Sequence, residues 1–173
     1  MDLSASVIKW KGTKFWGLGS HEGTIRLKSG ELCMVGTTIK GGSLVVDMRT
    51  IEVTDIPASD PVPRQRLRDH LMSEDFFQVS AHPEARMVLT SVKAEKERLY
   101  RVTAALTIRG VTHPVAFFVR AWTLTDREVR AETRFEVNRQ QFGVSFRGSA
   151  LSDDLVDDEF ALDIKLEARA PKH

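Results

Sequence analysis

The chain has 173 residues, a length typical of a single domain. Its 25 lysines and arginines nearly balance its 24 aspartates and glutamates, which argues against a nucleic-acid-binding surface or a polybasic membrane anchor. Its single cysteine excludes an internal disulfide, and no apolar run approaches the roughly 20 residues of a membrane-spanning helix. We therefore expect one globular domain over residues 1–173, with no nucleic-acid partner and no integral membrane segment.

The N-terminal segment, residues 1–14, has polar and charged side chains where a secretory signal would have its apolar core. This pattern predicts a chain that is not exported, and therefore a cytoplasmic location. Residues 24–28 then alternate apolar and polar side chains, which indicates a short strand that ends at a turn over residues 28–31. A second break is predicted over residues 36–42, before an alternating segment that contains Met48.

The segment over residues 56–77 is the exception to this alternation. Three prolines within residues 57–63 predict a stiff connection with little helix. After them, Leu67 and Leu71 stand four residues apart among charged neighbours, which predicts a short amphipathic helix over residues 64–71. Such a helix would interrupt the β-structure and lie across one end of a barrel.

The rest of the chain returns to a period of two. Apolar and charged side chains alternate along residues 128–138 and 159–169, whereas a helix would need apolar spacings of three and four. Shorter runs over residues 87–92, 100–108 and 115–123 bring the total to about seven or eight strands with hairpin-like spacing. The pattern predicts an all-β fold, a barrel or a sandwich, with one short helix inserted mid-chain.

An eight-stranded barrel either fills its interior with side chains or holds one small ligand. The apolar faces here mix large and small residues: Met48, Met87, Phe135 and Phe160 with Ala104, Ala131, Thr133 and Ala168. Small side chains can leave a cavity, and methionine suits an adaptable wall. Large and small side chains can equally interdigitate into a dry core, so the pattern alone leaves both interpretations open.

Several spaced motifs, in order along the chain, resemble the YceI-like family. Residues 100–115 resemble its strand–turn–strand signature, and residues 135–144 resemble its second signature. Residues 46–77 are similar to its middle section, and residues 158–162 are similar to its closing strand. The resemblance extends over residues 10–168, nearly the whole chain.

The resemblance implies a lipocalin-like antiparallel barrel with a long hydrophobic pocket. It implies binding of a polyisoprenoid or another fatty amphiphile without catalysis or a cofactor, and it suggests a homodimer. Two features depart from the family pattern. Many members carry a signal peptide, which we do not expect in this chain, and Ala105 stands where the family commonly has glycine. A side chain at Ala105 could narrow the pocket or fill a small gap.

The apolar faces and the resemblance together provide the candidate ligand-binding residues. Phe76 and Phe77 would gate the barrel mouth or anchor the helix. Arg139 would bind a polar head group, or pair with a carboxylate such as Asp47. The full set is Trp16, Met48, Phe76, Phe77, Met87, Trp122, Phe135, Arg139, Phe142 and Phe146. Trp16 and Trp122 would line the cavity or plug a barrel end.

Metal or nucleophile chemistry is not indicated by the spacing of the reactive residues. The five histidines are not placed as metal ligands usually are, and Cys33 has no cysteine partner, so no metal site is predicted. Two alternatives to a lipid carrier stay open: an enzyme acting on a hydrophobic substrate inside the barrel, and a closed barrel whose surface binds a partner. A cavity below about 300 Å³ would exclude both pocket interpretations.

Overall fold

A computed structural model describes residues 1–14, 19–146 and 156–170. Within them, eight antiparallel strands form a closed barrel in which each strand pairs with its sequence neighbours and the last pairs with the first. The elements are β1 (Val7–Lys14), β2 (Gly19–Val35), β3 (Thr38–Val53), α1 (Pro61–Met72), β4 (Glu84–Lys96), β5 (Leu99–Ile108), β6 (Val111–Leu124), β7 (Glu128–Asn138), a 3₁₀ helix (Arg139–Phe142) and β8 (Val156–Arg169). The predicted all-β barrel with one inserted helix is confirmed.

The predicted turn over residues 28–31 is wrong, because β2 continues through it. The pairing of β2 with β3 shifts register near Ser29 instead of ending there. Gly30 serves close packing at this point, since a Cβ added to it would lie 2.9 Å from Cδ2 of Leu44. The chain reverses later, at Gly36, whose φ of 57° suits a residue without a side chain.

Helix α1 begins at Pro61, three residues earlier than predicted. Proline is tolerated there because the N–H groups of a first helical turn have no intrahelical partner. The expectation of little helix among the prolines is therefore wrong. Leu71 is buried and Leu67 packs against the core, as their spacing predicted. In the described part of the chain, no helix is long and apolar enough to cross a membrane.

Two helical segments stand beside the strands at the end of the barrel covered by α1, which we call the upper end. Pairing between β3 and β4 stops at Asp47 and Glu84, and α1 packs on β3 beyond that point. Toward the upper end, the last pair between β6 and β7 is Val119 with Thr133. Above this pair, the 3₁₀ helix contacts β6. The opposite, lower end contains the turn at Gly36 between β2 and β3.

Arginine side chains bind backbone carbonyls at the upper end. Arg68 of α1 donates to the carbonyls of Ile51 at 2.9 Å and Arg49 at 3.3 Å, in the part of β3 beyond its last pair with β4. Arg109, in the turn between β5 and β6, donates to the carbonyls of Glu74, Phe76 and Gly143. These bonds tie the connection after α1 and the end of the 3₁₀ helix to the barrel, and they give partners to carbonyls outside the strand ladder.

Candidate functional site

A cavity of about 620 Å³ lies in the upper half of the barrel beneath α1, and we call it the upper cavity. Its apolar wall consists mainly of Ile8, Trp10, Ile25, Leu44, Val46, Met48, Ile51, Leu71, Phe76, Phe77, Met87, Leu106, Ile108, Phe160, Leu162 and Ile164. This volume lies within the range of about 300–1,000 Å³ that is typical of ligand pockets. The dry-core interpretation therefore fails for this half of the barrel.

A second and much smaller cavity of about 70 Å³, the lower cavity, lies toward the other end. It is lined by the small residues Ala131, Thr133 and Ala168, which on the sequence pattern could either leave a cavity or pack into a dry core. The large residues Met48 and Phe160 instead line the upper cavity. Side-chain size alone therefore does not decide where this barrel is hollow.

The inner face of β1 presents Trp10 and Gly12 to the upper cavity. The indole ring of Trp10 covers its paired residue, Gly23, where an added Cβ would lie 2.5 Å from Cζ2 of the ring and would collide with the carbonyl oxygen of Glu52. A Cβ added to Gly12 would meet nothing within 4 Å. Gly23 is thus required by close packing, whereas Gly12 faces open space.

An aromatic cluster lies between α1 and the cavity. Phe76 and Phe77 are in edge-on contact, with ring centroids 4.9 Å apart, and Phe77 contacts Phe160 of β8. His70 of α1 contacts Phe146 edge-on, at a centroid distance of 4.5 Å. Phe76, Phe77 and Phe146 all line the cavity. Phe76 is buried and anchors this connection, while Phe77 and Phe146 are half-buried.

Arg139 lines the cavity with a side chain that is only 2 % exposed. Its Nε donates to the carbonyl of Asp157 at 2.9 Å, and its Nη1 donates to the carbonyl of Val144 at 2.7 Å. Its Nη2 lies 3.4 Å from Oδ1 of Asp158, and the guanidinium lies 5.9 Å from the ring centroid of Phe76. Arg139 therefore joins the segment after the 3₁₀ helix and the start of β8 to the aromatic cluster.

Arg139 does pair with a carboxylate, as predicted, but the carboxylate is that of Asp158 and not that of Asp47. Asp47 instead accepts hydrogen bonds from Arg49, with Nε at 2.8 Å and Nη2 at 2.9 Å. Arg49 is exposed, so this pair belongs to the outer surface of β3. The Arg49 hydrogen bonds hold the pKa of the Asp47 carboxyl below its ordinary value.

Three predicted site residues do not line the upper cavity. Phe135 is buried but stacks on Phe117, with ring centroids 4.3 Å apart, on the other side of the bore. Phe142 is fully buried and contacts the ring of His113. Trp122 is 40 % exposed, because it follows the buried Ala121 in β6 and points to the opposite face.

The remaining predicted residues have clear positions. Met48 and Met87 line the upper cavity on β3 and β4, whereas Trp16 lies outside the described residues. Ala105 stands between the buried Ala104 and Leu106, so its side chain faces away from the bore. It therefore does not narrow the cavity. Whether any of these residues contacts a ligand stays a prediction.

Ionisable side chains line the upper cavity at its rim. They include Lys14, His21, Arg66, Asp157 and Glu159. Nδ1 of His21 lies 2.7 Å from Oδ2 of Asp55. Sequence reasoning assigned none of these residues to the site, because they come together only when β1, β2, α1 and β8 meet. Trp10 and Gly12 were also missed, although their alternation with Lys9 and Lys11 is a strand signal.

The described residues contain no group of three histidine, cysteine, aspartate or glutamate side chains that could hold a metal ion. Cys33 is a free thiol on the exposed face of β2. The polar groups near the cavity include the rim residues, the His21–Asp55 pair and the buried Arg139. Most of the remaining wall is formed by apolar side chains.

The chain is similar to bacterial proteins of one group. The sequence profile of the YceI-like domain matches residues 1–168. A UPF0312 protein of Pseudomonas fluorescens SBW25 is 29% identical over 167 residues, which cover 92% of this chain and 79% of that protein. A UPF0312 protein of Pseudomonas putida W619 is 31% identical over 110 residues, 64% of this chain. That match spans 53% of the relative, about half of its length.

Solved structures show the same fold. BcnA of Burkholderia cenocepacia has a TM-score of 0.78 at 18% identity, over 96% of this chain and 98% of BcnA. A polyisoprenoid binding domain from Saccharophagus degradans has a TM-score of 0.70 at 15% identity, over 98% of this chain and 97% of that domain. These likenesses establish the barrel, and the profile match covers nearly the whole chain. The chain therefore belongs to the YceI-like domain family.

Proposed function

We propose that this chain binds the apolar tail of a long-chain amphiphile, of the polyisoprenoid class, in the upper cavity and does not transform it. The observation that carries this proposal is a cavity of about 620 Å³ with a largely apolar wall. Burial of apolar surface stabilises a complex by about 25 cal/mol per Å², so the tail needs no positioned polar partner. The fold shared with a structure described as a polyisoprenoid binding domain supports the choice of ligand class.

The polar end of the amphiphile would lie at the rim, beside α1. His21 and Arg66 offer donors there, and Glu159 offers acceptors. A rim of mixed charge favours a head group that both donates and accepts hydrogen bonds, such as an alcohol. Arg139 contributes less to such a site, because its guanidinium is already bonded to backbone carbonyls.

An enzymatic role would need polar groups that converge on one point of the ligand. Among the polar candidates on the strands, Thr133 donates to the carbonyl of Phe118 and lines the lower cavity. Thr103 alternates with the buried Val102 and Ala104 and therefore faces outward. These placements support binding without catalysis.

Native mass spectrometry with an added prenyl alcohol tests the proposal. We expect one geranylgeraniol per chain, recovered unchanged after denaturing extraction. Gly12→Phe, which fills open cavity space, should reduce the bound fraction at least about tenfold, while the outward-facing Lys11→Phe should retain it. Failure of the wild-type chain to bind prenyl alcohols or fatty acids would overturn the proposal, and recovery of an altered lipid would overturn its non-enzymatic part.

A further inference from the structure

We propose that a layer of three side chains, Leu44, Met87 and Ile164, is the floor of the upper cavity and sets the longest tail that the barrel encloses. This inference rests on the proposed function and adds a determinant of chain length to it. The floor separates the upper cavity from the lower cavity, which would accept the end of a longer tail if the floor were shortened.

The two cavities meet at this layer. Leu44, Met87 and Ile164 line both of them, and all three are buried. A residue that faces two cavities stands between them, so the barrier is about one side chain thick. A single layer of side chains therefore divides the interior of the barrel into the upper and the lower cavity.

The strand register explains why these side chains meet. Leu44 of β3 pairs with Met87 of β4, so the two stand side by side on the inner face. Ile164 lies on β8, four strands away from β4 in a closed barrel of eight, and hence on the opposite wall. On the side of β6 and β7, the rings of Phe117 and Phe135 are buried and stacked, and Phe117 also lines the lower cavity.

The lower cavity is suited to the end of an apolar tail. Its volume is about 70 Å³, and its lining includes Leu32, Leu89, Val119 and Leu166. An apolar cavity of this kind stays dry, so a tail that entered it would displace little bound water. Met87 is the best residue to shorten, because it lines both cavities and its side chain is long and unbranched.

Met87→Ala, compared with wild type across prenyl alcohols of increasing length, tests the floor. The probes are geraniol, farnesol, geranylgeraniol and a longer polyprenol, each titrated separately. For wild type we expect affinity to rise with each isoprene unit and then reach a plateau. In Met87→Ala the plateau should begin one unit later, with about tenfold tighter binding of the first longer alcohol and little change for the shorter ones.

Val88→Ala is the matched control, since Val88 is the next residue of β4 and is 49 % exposed on the outer face. It should retain the wild-type length profile. Ile164→Val shortens the floor more mildly, and it should move the profile in the same direction if Met87→Ala does not fold. If wild type binds the alcohols and both floor variants show the same plateau as wild type, the floor proposal is overturned and the proposed function is not. Wild type that binds no alcohol would overturn the proposed function, and this inference with it.

Discussion

The upper and lower halves of the barrel share the same strands and the same alternation, yet one encloses about 620 Å³ and the other about 70 Å³. The lower half contains a buried cluster with two alanines, Ala121 and Ala131, packed against Ile39 and Val129. The wall of the upper half contains large residues such as Met48 and Phe160, and yet this half is hollow. Small side chains allow opposite walls of the barrel to pack closely together. They can therefore eliminate a cavity as well as create one.

The upper half is held open by segments that are not strands. Helix α1 stands beside β3 where the pairing with β4 has ended, and the 3₁₀ helix stands beside β6. Arg68, Arg109 and Arg139 hold these segments through backbone carbonyls. We attribute the upper cavity to these helical segments, which hold the walls apart, rather than to the size of the side chains that line it.

Removal of the Arg139 side chain should have the largest effect. The Arg139→Ala variant leaves the carbonyls of Val144 and Asp157 without this donor. We expect a loss of about 3–5 kcal/mol in the free energy of unfolding, measured by urea denaturation. The exposed Arg49→Ala should cost about 0–1 kcal/mol. Equal losses in the two variants would mean that the buried arginine does not hold the upper half together.

Two glycines of the inner wall should respond differently to the same methyl group. Gly23→Ala places a Cβ against Trp10 and the carbonyl of Glu52, so we expect a loss of about 3 kcal/mol. Gly12→Ala adds a Cβ in open space and should change stability by less than about 1 kcal/mol, toward stabilisation. Thermal or urea unfolding would measure both, and similar losses would contradict the placement of Gly12 on a hollow wall.

Two alanines compare the two halves directly. Ala121→Leu enlarges a residue of the packed lower cluster and should cost about 1–2 kcal/mol. Ala85→Leu adds the same atoms next to the upper cavity, where they have room, and should cost less than about 0.5 kcal/mol. Urea denaturation of both variants would check this order. A larger loss for Ala85→Leu would reverse our assignment of the packed and hollow halves.

The smallest effect concerns the surface where β3 and β4 stop pairing. Hydrogen bonds from Arg49 lower the pKa of Asp47, and those from Lys28 and Arg86 lower the pKa of Glu84. A carboxyl with a lowered pKa contributes stability above its unfolded pKa, and this stability is lost as the pH falls through the folded value. Asp47→Asn should therefore flatten the decline in stability below about pH 4. An unchanged decline would show that this exposed pair contributes nothing.

The fold was predictable because the alternation of apolar and charged residues is local. The strands over residues 128–138 and 159–169 lie where the pattern predicted them. The continuation of β2 through Gly30 was not predictable, because a glycine inside a strand and a glycine in a hairpin turn look alike in sequence. The start of α1 at Pro61 was not predicted, because a proline interrupts a helix everywhere except in its first turn.

The site was predictable only in part, because alternation gives the face of a residue and not its height in the barrel. Met48 and Met87 were placed correctly on the upper cavity, and Phe135 was assigned the correct face but lies against Phe117. Phe142 belongs to a 3₁₀ helix, where a period of two does not apply. The outward position of Trp122 could have been read from the alternation that follows Phe117.

Methyl NMR of the five methionines compares the halves in one experiment. Met48 and Met87 line the upper cavity, whereas Met34 packs against the lower cluster. Titration with farnesol should shift the methyl signals of Met48 and Met87 and leave that of Met34 in place. Saturable binding that shifts Met34, or that leaves Met48 and Met87 unchanged, would contradict a tail site in the upper half of the barrel.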